Sequence, residues 1–267
     1  MHASSSLLLN ISVIKNSMKK ENIIWFILLV VIGFTMLFTT NCKKDDDKPD
    51  NPTNGKTTAI FNPVLDYGSV TDKDGNTYKT IVIGTQTWMA ENLRTTKYRN
   101  GDSIPKITDS IVWSNLKTGA YCNCNNSNSV QMIATYGRLY NWYAASDSRN
   151  IAPLGWHVPT NDEWTTLITY LGGETLAIKK LKEKGETHWL FYNEGSDNSS
   201  GFTALPGSCR MGLHFLAMGY FGYWWSSTED DSKISAWYRS LSIDPDETVT
   251  PYIWFKEDGF SVRCVKD

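Results

Sequence analysis

The sequence predicts an α+β domain with short twisted strands and two to three helices. Two observations predict it. β-prone runs cluster at both ends of the region after residue 63, and helical periodicity is confined to its middle. Strands and helices segregate this way in α+β chains, not in alternating βαβ ones. Val64 to Val70 and Tyr78 to Ile83 flank Asp72-Lys73-Asp74-Gly75-Asn76. Asp-Gly and Gly-Asn between β-prone runs read as a hairpin turn. Tyr78 to Ile83 has apolar or β-branched residues at both alternating sets, which predicts burial of both faces. Gly84-Thr85 turns the chain into Gln86–Met89. In Tyr136–Ala145, Leu139, Trp142 and Tyr143 fall at helical spacing and predict one helix face. Thr160 with Glu163 reads as a capping box. Trp164, Leu167, Ile168 and Leu171 continue that helix, and Gly172-Gly173 stops it. Leu176 to Lys184 predicts a short third helix. Phe202–Leu205, Tyr223–Ser227, Ala236–Leu241, Val249–Lys256 and Phe260–Val265 read as strands. The first and last strands are expected to be neighbours, and no strict internal repeat is present.

Composition narrows the classes. The chain has 267 residues, with Trp 11, Tyr 13 and Phe 10. Lys+Arg 26 against Asp+Glu 28 gives no basic excess, so nucleic acid is not an expected partner. Charged content of 20% and hydrophobic content of 41% argue against disorder as a whole.

The first forty residues carry an address. Ile23 to Phe38 is uncharged and follows Lys19-Lys20. A basic segment before a short apolar run reads as a signal peptide, with a signal anchor as the alternative. Residues 1–17 read as an over-extended start and 18–41 as a lipoprotein signal. Cys42 follows directly and resembles an acylated lipoprotein cysteine, although Thr39 and Asn41 depart from the usual pattern. Lys43-Lys44-Asp45-Asp46-Asp47 resembles the export signal of surface-exposed lipoproteins. The expectation is an outer-membrane protein, lipid-anchored at Cys42 and facing the exterior. Residues 42–62 are polar and are expected to form a flexible tether, with the folded domain at 63–267.

Six blocks in order carry a resemblance: Tyr78–Leu93, Tyr136–Ala145, Gly155–Trp164, Gly201–Arg210, Trp224–Glu229 and Gly259–Asp267. Together they resemble the Fibrobacter succinogenes major paralogous domain family. That resemblance implies a fold similar to the formylglycine-generating-enzyme type, within the C-type-lectin-like architecture. It implies bacterial, often lipid-anchored surface proteins and no particular activity. Ser208-Cys209 stands where the family has Gly-Tyr, and Ala152 stands where it often has Cys.

Candidate site residues follow. Cys122, Cys124, Cys209 and Cys264 are disulfide candidates in an exported domain, with connectivity open and a buried free Cys264 as the alternative. Trp224, Trp225 and Trp237, with Glu229, Asp230 and Asp231, are the ligand-binding candidates: sugar rings stack on aromatic faces and carboxylates fix hydroxyls or Ca²⁺. The competing reading makes the tryptophans core. No cofactor is expected. The lectin-type calcium motifs Glu-Pro-Asn and Trp-Asn-Asp are missing from the sequence, and Asp72-x-Asp74-x-Asn76 fits a turn better than a Ca²⁺ loop. No G-x-S-x-G elbow supports a serine hydrolase, and His157 reads as a packed histidine. The chain is therefore expected to be a non-enzymatic surface binding module for glycan or protein ligands. The alternatives are an enzyme of the formylglycine-generating superfamily and a structural subunit of an envelope complex.

Overall fold

The computed structural model describes residues 51–191, 193–244 and 248–267. The signal segment, Cys42 and the start of the expected tether lie outside the described residues. The fold is α+β and mostly β.

The opening hairpin joins β1 (Gly68–Thr71) to β2 (Thr77–Ile83), and β3 (Gln86–Met89) returns beside it. Asp72 builds the first turn. Its Oδ1 accepts the Asp74 and Asn76 backbone N–H groups at 2.9 and 3.0 Å, and its Oδ2 accepts from Asn76 Nδ2 and Tyr78 Oη at 2.8 and 2.5 Å. Its lone pairs are therefore spent on protein donors, as the turn reading expects. In β2, Tyr78, Thr80, Ile81 and Ile83 are buried, whereas Val82 is exposed. Tyr78 and Thr80 lie on one face and Ile81 and Ile83 on the other, so both faces are buried as expected, and of the apolar residues only Val82, at the end of the first face, is open.

Residues 136–145 do not form one helix. After α1 (Ser110–Ser114), β4 (Tyr121–Asn123) and a 3₁₀ turn, α2 spans Val130–Tyr136, β5 spans Arg138–Tyr140 and α3 spans Trp142–Ala145. Gly137 causes the break. It takes φ 75°, and its N–H closes on Ile133 O. A left-handed glycine ends a helix. The chain then pairs β5 with β4, and Asn141 caps α3.

β6 (Trp156–His157) leads into α4 (Asn161–Tyr170), which carries the expected capping box. Trp164, Leu167 and Ile168 turn its apolar stripe inward. α5 spans Glu174–Leu181 and stops before the predicted Lys184. It stops because Lys182 and Glu183 turn extended: Glu183 N donates to Ala204 O at 3.1 Å, and Lys182 Nζ reaches Ser242 O at 2.9 Å.

The remaining strands are β7 (Gly207–Met211), β8 (His214–Met218), β9 (Phe221–Glu229), β10 (Ser235–Ser242), β11 (Pro251–Phe255) and β12 (Val265–Lys266). The first sheet runs β1-β2-β3-β12-β6 and the second β11-β10-β9-β7-β8. The closing strand thus joins the opening sheet, beside β3 and not β1. Phe260 to Cys264 is not a regular strand. It stitches the sheets instead: Phe260 bridges Tyr140, and Ser261 bridges Trp224.

Residues 51–62, expected within the tether, lie along the domain. Thr53 Oγ1 donates to Asn76 Oδ1 at 3.0 Å, and Arg94 Nε donates to Thr53 Oγ1 at 2.9 Å. Ile60 N donates to Glu183 Oε1 at 2.5 Å. Composition hides this docking because it rests mainly on polar contacts, with Phe61 also packed against the core.

A Cβ on Gly137 would meet Asn92 Cβ at 2.6 Å and Leu93 O at 2.8 Å. Gly137→Ala should therefore lose more than about 1 kcal/mol of stability. Urea unfolding checks this, and an unchanged midpoint would contradict the account.

Candidate functional site

β9 is an inner strand, and its two faces meet different cores. Trp224 packs with Trp88, Trp164 and Phe202; Trp225 packs with Tyr140, Tyr238 and Phe260. Trp224 Nε1 donates to Asn92 Oδ1 and Trp225 Nε1 to Tyr140 O, both at 2.9 Å. Both side chains are almost wholly buried, at 1% and 0% exposure. These two ligand-binding candidates are therefore corrected to core. A strand covered on both faces has no face left for ligand.

Trp237 differs. It lies on β10 opposite Ile253 of β11 and is half-buried. β11 is the end strand of its sheet. Its residues Tyr252, Ile253, Trp254 and Phe255 are exposed by 40%, 43%, 37% and 49%. Alternate residues point to opposite faces, and cross-strand partners share one. Trp237, Ile253 and Phe255 therefore share one face. Tyr252 and Trp254 share the other, where Tyr252 lies 5.9 Å from the Tyr238 ring. Trp254 Nε1 donates to Asp258 Oδ2. Burial pushes the Asp258 carboxyl up, against the hydrogen bonds from Gly212 and Trp254.

The sequence predicts the β11 strand but not its exposure. An uninterrupted apolar run normally marks a strand buried on both faces. What the residue pattern does not carry is strand order, which puts β11 at the end of its sheet.

The acidic candidates sit at the turn beside this edge. Glu229 Oε2 accepts from Lys233 Nζ at 2.7 Å, and its Oε1 accepts from Lys256 Nζ. These lysines hold the Glu229 carboxyl below its ordinary range. Asp230 accepts from Ser232 N at 3.0 Å, which lowers its pKa, and Asp231 is exposed. Glu229 and Asp230 are thus each committed to protein donors. Among the described residues no group of three or more His, Cys, Asp or Glu side chains is placed to hold a metal.

Cys122, Cys124, Cys209 and Cys264 are all free and buried. The expected disulfides are corrected accordingly, and the buried-thiol alternative holds for Cys264. Desolvation pushes Cys122 and Cys209 up to about 12 and Cys124 to about 11, and Cys264 higher. Nucleophilic thiol chemistry needs the opposite shift.

Two histidines act as clasps. His157 lies between Glu163 Oε1 at 2.7 Å and Asp267 Oδ1 at 2.6 Å, which fastens the closing residue to the start of α4. Desolvation opposes its charge, but the hydrogen bonds to Asp267 and Glu163 prevail and its pKa is raised. His188 Nδ1 meets Glu183 Oε2 at 2.6 Å, and its Nε2 meets Thr58 Oγ1 at 2.9 Å. That hydroxyl–imidazole–carboxylate order matches a nucleophilic relay. Its visible work is fastening: Thr58 N and Ile60 N bind to Thr135 Oγ1 and to Glu183 itself.

The fold and this edge define a single α+β domain with two free-standing features, an aromatic sheet edge and a docked N-terminal strap. The Fibrobacter succinogenes major domain matches residues 81–266, and the chain belongs to that family. No curated protein and no solved structure matches it. Among the described residues no helix is long and apolar enough to cross a membrane.

Two measurements test the site. A thiol reagent should label none of these four cysteines in the native chain and all four after unfolding without reductant. Failure to label after unfolding would reveal a disulfide. The raised pKa of His157 gives the second. Its contribution is full below the unfolded value near 6.5 and is lost as pH rises through the higher folded value. The melting-temperature gap between wild type and His157→Gln should thus shrink from about pH 5 to about pH 9. A gap that widens instead would refute the clasp.

Proposed function

We propose that the chain is a cell-surface, non-enzymatic binding module, anchored in the outer membrane by lipid at Cys42, that engages glycan or protein ligands through the β10–β11 edge. The finer reading of the fold is C-type-lectin-like, close to the formylglycine-generating-enzyme type. One observation carries the binding reading. Tyr252, Ile253, Trp254 and Phe255 are consecutive, apolar and exposed, with Trp237 beside them. Scattered exposed apolar residues are ordinary, but a contiguous patch marks a contact surface. Aromatic residues are also the side chains that dominate binding energy.

The family resemblance supports the surface location, as do the apolar run, Cys42 and the charged residues after it. The enzyme alternative asks for a reactive thiolate. Burial holds the four domain thiols protonated, which favours the binding reading.

The test pairs wild type with a Trp237→Ala, Phe255→Ser double variant. Both are applied to a glycan array, and both are used in pull-downs from detergent-solubilised outer membrane. Ligands retained by wild type should bind the variant at least about tenfold more weakly, since two aromatic contacts are each worth about 1 kcal/mol or more. Equal retention by both chains would place the binding surface elsewhere. Cys42→Ala should move the chain to the soluble fraction. Continued membrane partitioning would end the lipid-anchor reading.

A further inference from the structure

We propose that the ring of Tyr170 and the two clefts that meet at it form a second binding site, for a neutral oligosaccharide. The site lies between α4 and the β2–β3 turn. It does not rest on the β10–β11 edge, which belongs to the other sheet.

The first argument is the ring. Tyr170 ends α4, and Gly84 turns β2 into β3. A Cβ on Gly84 would lie 2.8, 2.9 and 3.2 Å from Cδ2, Cγ and Cε2 of the Tyr170 ring. Approach in the ring plane would leave the two neighbours of Cδ2 much farther away than Cδ2 itself. The near-equal distances therefore put the glycine against the face of the ring. At φ 62° and without a side chain, Gly84 lets that face settle on the backbone. Tyr170 still remains 64% exposed, so the opposite face is open. Exposed side chains ordinarily change rotamer freely. This one is held flat, and a fixed, open aromatic face is what the C–H face of a sugar ring stacks on.

The second argument is the hydroxyl array. Two clefts of about 360 and 450 Å³ share Ile83 and Tyr170. Both fall in the size range of small-ligand sites. Thr85, Gln86, Thr165, Thr166 and Thr169 line the first; Val82, Lys180, Ser199 and Ser200 help line the second. A ligand that fills both must pass the ring, which asks for a chain of sugar units. Three of these threonines form the outward stripe of α4. Threonine is a poorer helix former than the lysine, glutamate or glutamine that suits an exposed helix face. Helix stability alone does not ask for them. Thr165 and Thr166 donate their hydroxyl hydrogens to Asn161 O and Asp162 O, each at 2.9 Å. Thr165 Oγ1 also accepts from Arg239 Nη2 at 3.2 Å. The lone pairs left over are acceptors fixed before a ligand arrives. Gln86 Nε2 donates to Glu163 O and its Oε1 accepts from Trp88 Nε1, both at 3.1 Å. That ties the hairpin to the helix and leaves one amide hydrogen to give. Sugar hydroxyls both donate and accept, so they match such a set.

The third argument is charge and backbone. Among the described residues lining the first cleft there is no Asp, Glu, Lys, Arg or His. The second holds only Lys180, whose Nζ donates to Leu171 O at 2.8 Å. An anionic ligand finds little countercharge there. A peptide strand would need a row of open main-chain groups. Here β2 pairs with both β1 and β3, and α4 bonds within itself. Recognition is left to hydroxyls and one ring, which is the chemistry of a saccharide.

The experiment is isothermal titration calorimetry on the full chain, in micelles of a detergent without a sugar headgroup. The neutral probes are cellohexaose, laminarihexaose, maltohexaose, mannohexaose and xylohexaose, and hexagalacturonate is the charged control. At least one neutral probe should bind saturably. Its disaccharide and hexagalacturonate should each bind at least about tenfold more weakly. Tyr170→Ala should weaken binding at least about tenfold, and Tyr170→Phe, which keeps the ring, should stay within about threefold of wild type. Thr166→Val, nearly the same shape, should weaken it about threefold or more.

No saturable binding by any neutral probe overturns the proposal, as does equal binding by Tyr170→Ala. Loss on Tyr170→Phe overturns stacking. Tighter binding of hexagalacturonate overturns the neutral class. If Tyr170→Ala does not fold, unchanged binding by Thr166→Val overturns the site in its place. The two binding surfaces fail separately. A sugar lost by the Trp237→Ala, Phe255→Ser variant but kept by Tyr170→Ala belongs to the β10–β11 edge; the Tyr170 site then falls and the earlier reading stands.

Discussion

The side-chain amide of Asn92 is the contact on which the rest of the domain depends. Its Nδ2 donates to Tyr136 O at 2.9 Å and to Ser261 Oγ at 3.2 Å. Its Oδ1 accepts from Trp224 Nε1 at 2.9 Å and from Arg263 Nε at 2.8 Å. An amide has two donor hydrogens and two acceptor lone pairs, and all four are used. The residue is buried, so each bond is made where an unmade one would be costly. One side chain thus joins the exit from β3, the end of α2, the inner strand β9 and the closing segment. Arg263 extends the hub to Phe202 O and Thr203 O, with its guanidinium 4.2 Å from the Phe202 ring. Desolvation lowers its pKa to about 9. Carbonyl dipoles and an aromatic face, not a carboxylate ion pair, hold this charge in the core.

This hub explains why the aromatic surplus divides. β9 is pinned through Trp224 on one face and Trp225 on the other, so its tryptophans have no exposed side. β10 lies one strand out and keeps only Trp237 partly open. β11 lies two strands out and exposes its aromatic residues on both faces. Exposure therefore grows with distance from the Asn92 anchor. The same residue types specify the fold near the hub and stand exposed at the edge. Composition cannot separate these two uses, because it counts tryptophans without placing them in a sheet.

Local chemistry was the legible part of the sequence. Thr160 and Glu163 cap α4, and Asp72 builds its turn, through contacts within a few residues. Periodicity misled at Tyr136–Ala145, where Leu139, Trp142 and Tyr143 fall at helical spacing by coincidence. Gly137 overrides that spacing, and it does so through backbone contact with Asn92 and Leu93, more than forty positions away. The cysteines illustrate the same limit. An export signal makes disulfides permissible, but whether two sulfurs meet depends on long-range packing. Trp224, Trp225 and Trp237 could not be sorted until strand order was known. Trp237 and the Glu229–Asp231 turn are the part of the candidate site that the structure does bring beside a surface, with β11 supplying what the residue pattern concealed.

The docked strap changes how an anchored domain would sit. A flexible tether from position 42 to position 62 would allow wide excursions. Thr53, Thr58 and Ile60 are instead fixed to Arg94, His188 and Glu183. By sequence, eight residues separate Cys42 from Asn51. At about 3.4 Å per extended residue, that is a reach of roughly 30 Å. On the proposed lipidation, the domain stays within about one domain diameter of the bilayer. A ligand must then approach the β11 edge within that layer. On the proposed anchoring and binding readings, the polar contacts of the strap thereby limit which partners can reach that edge.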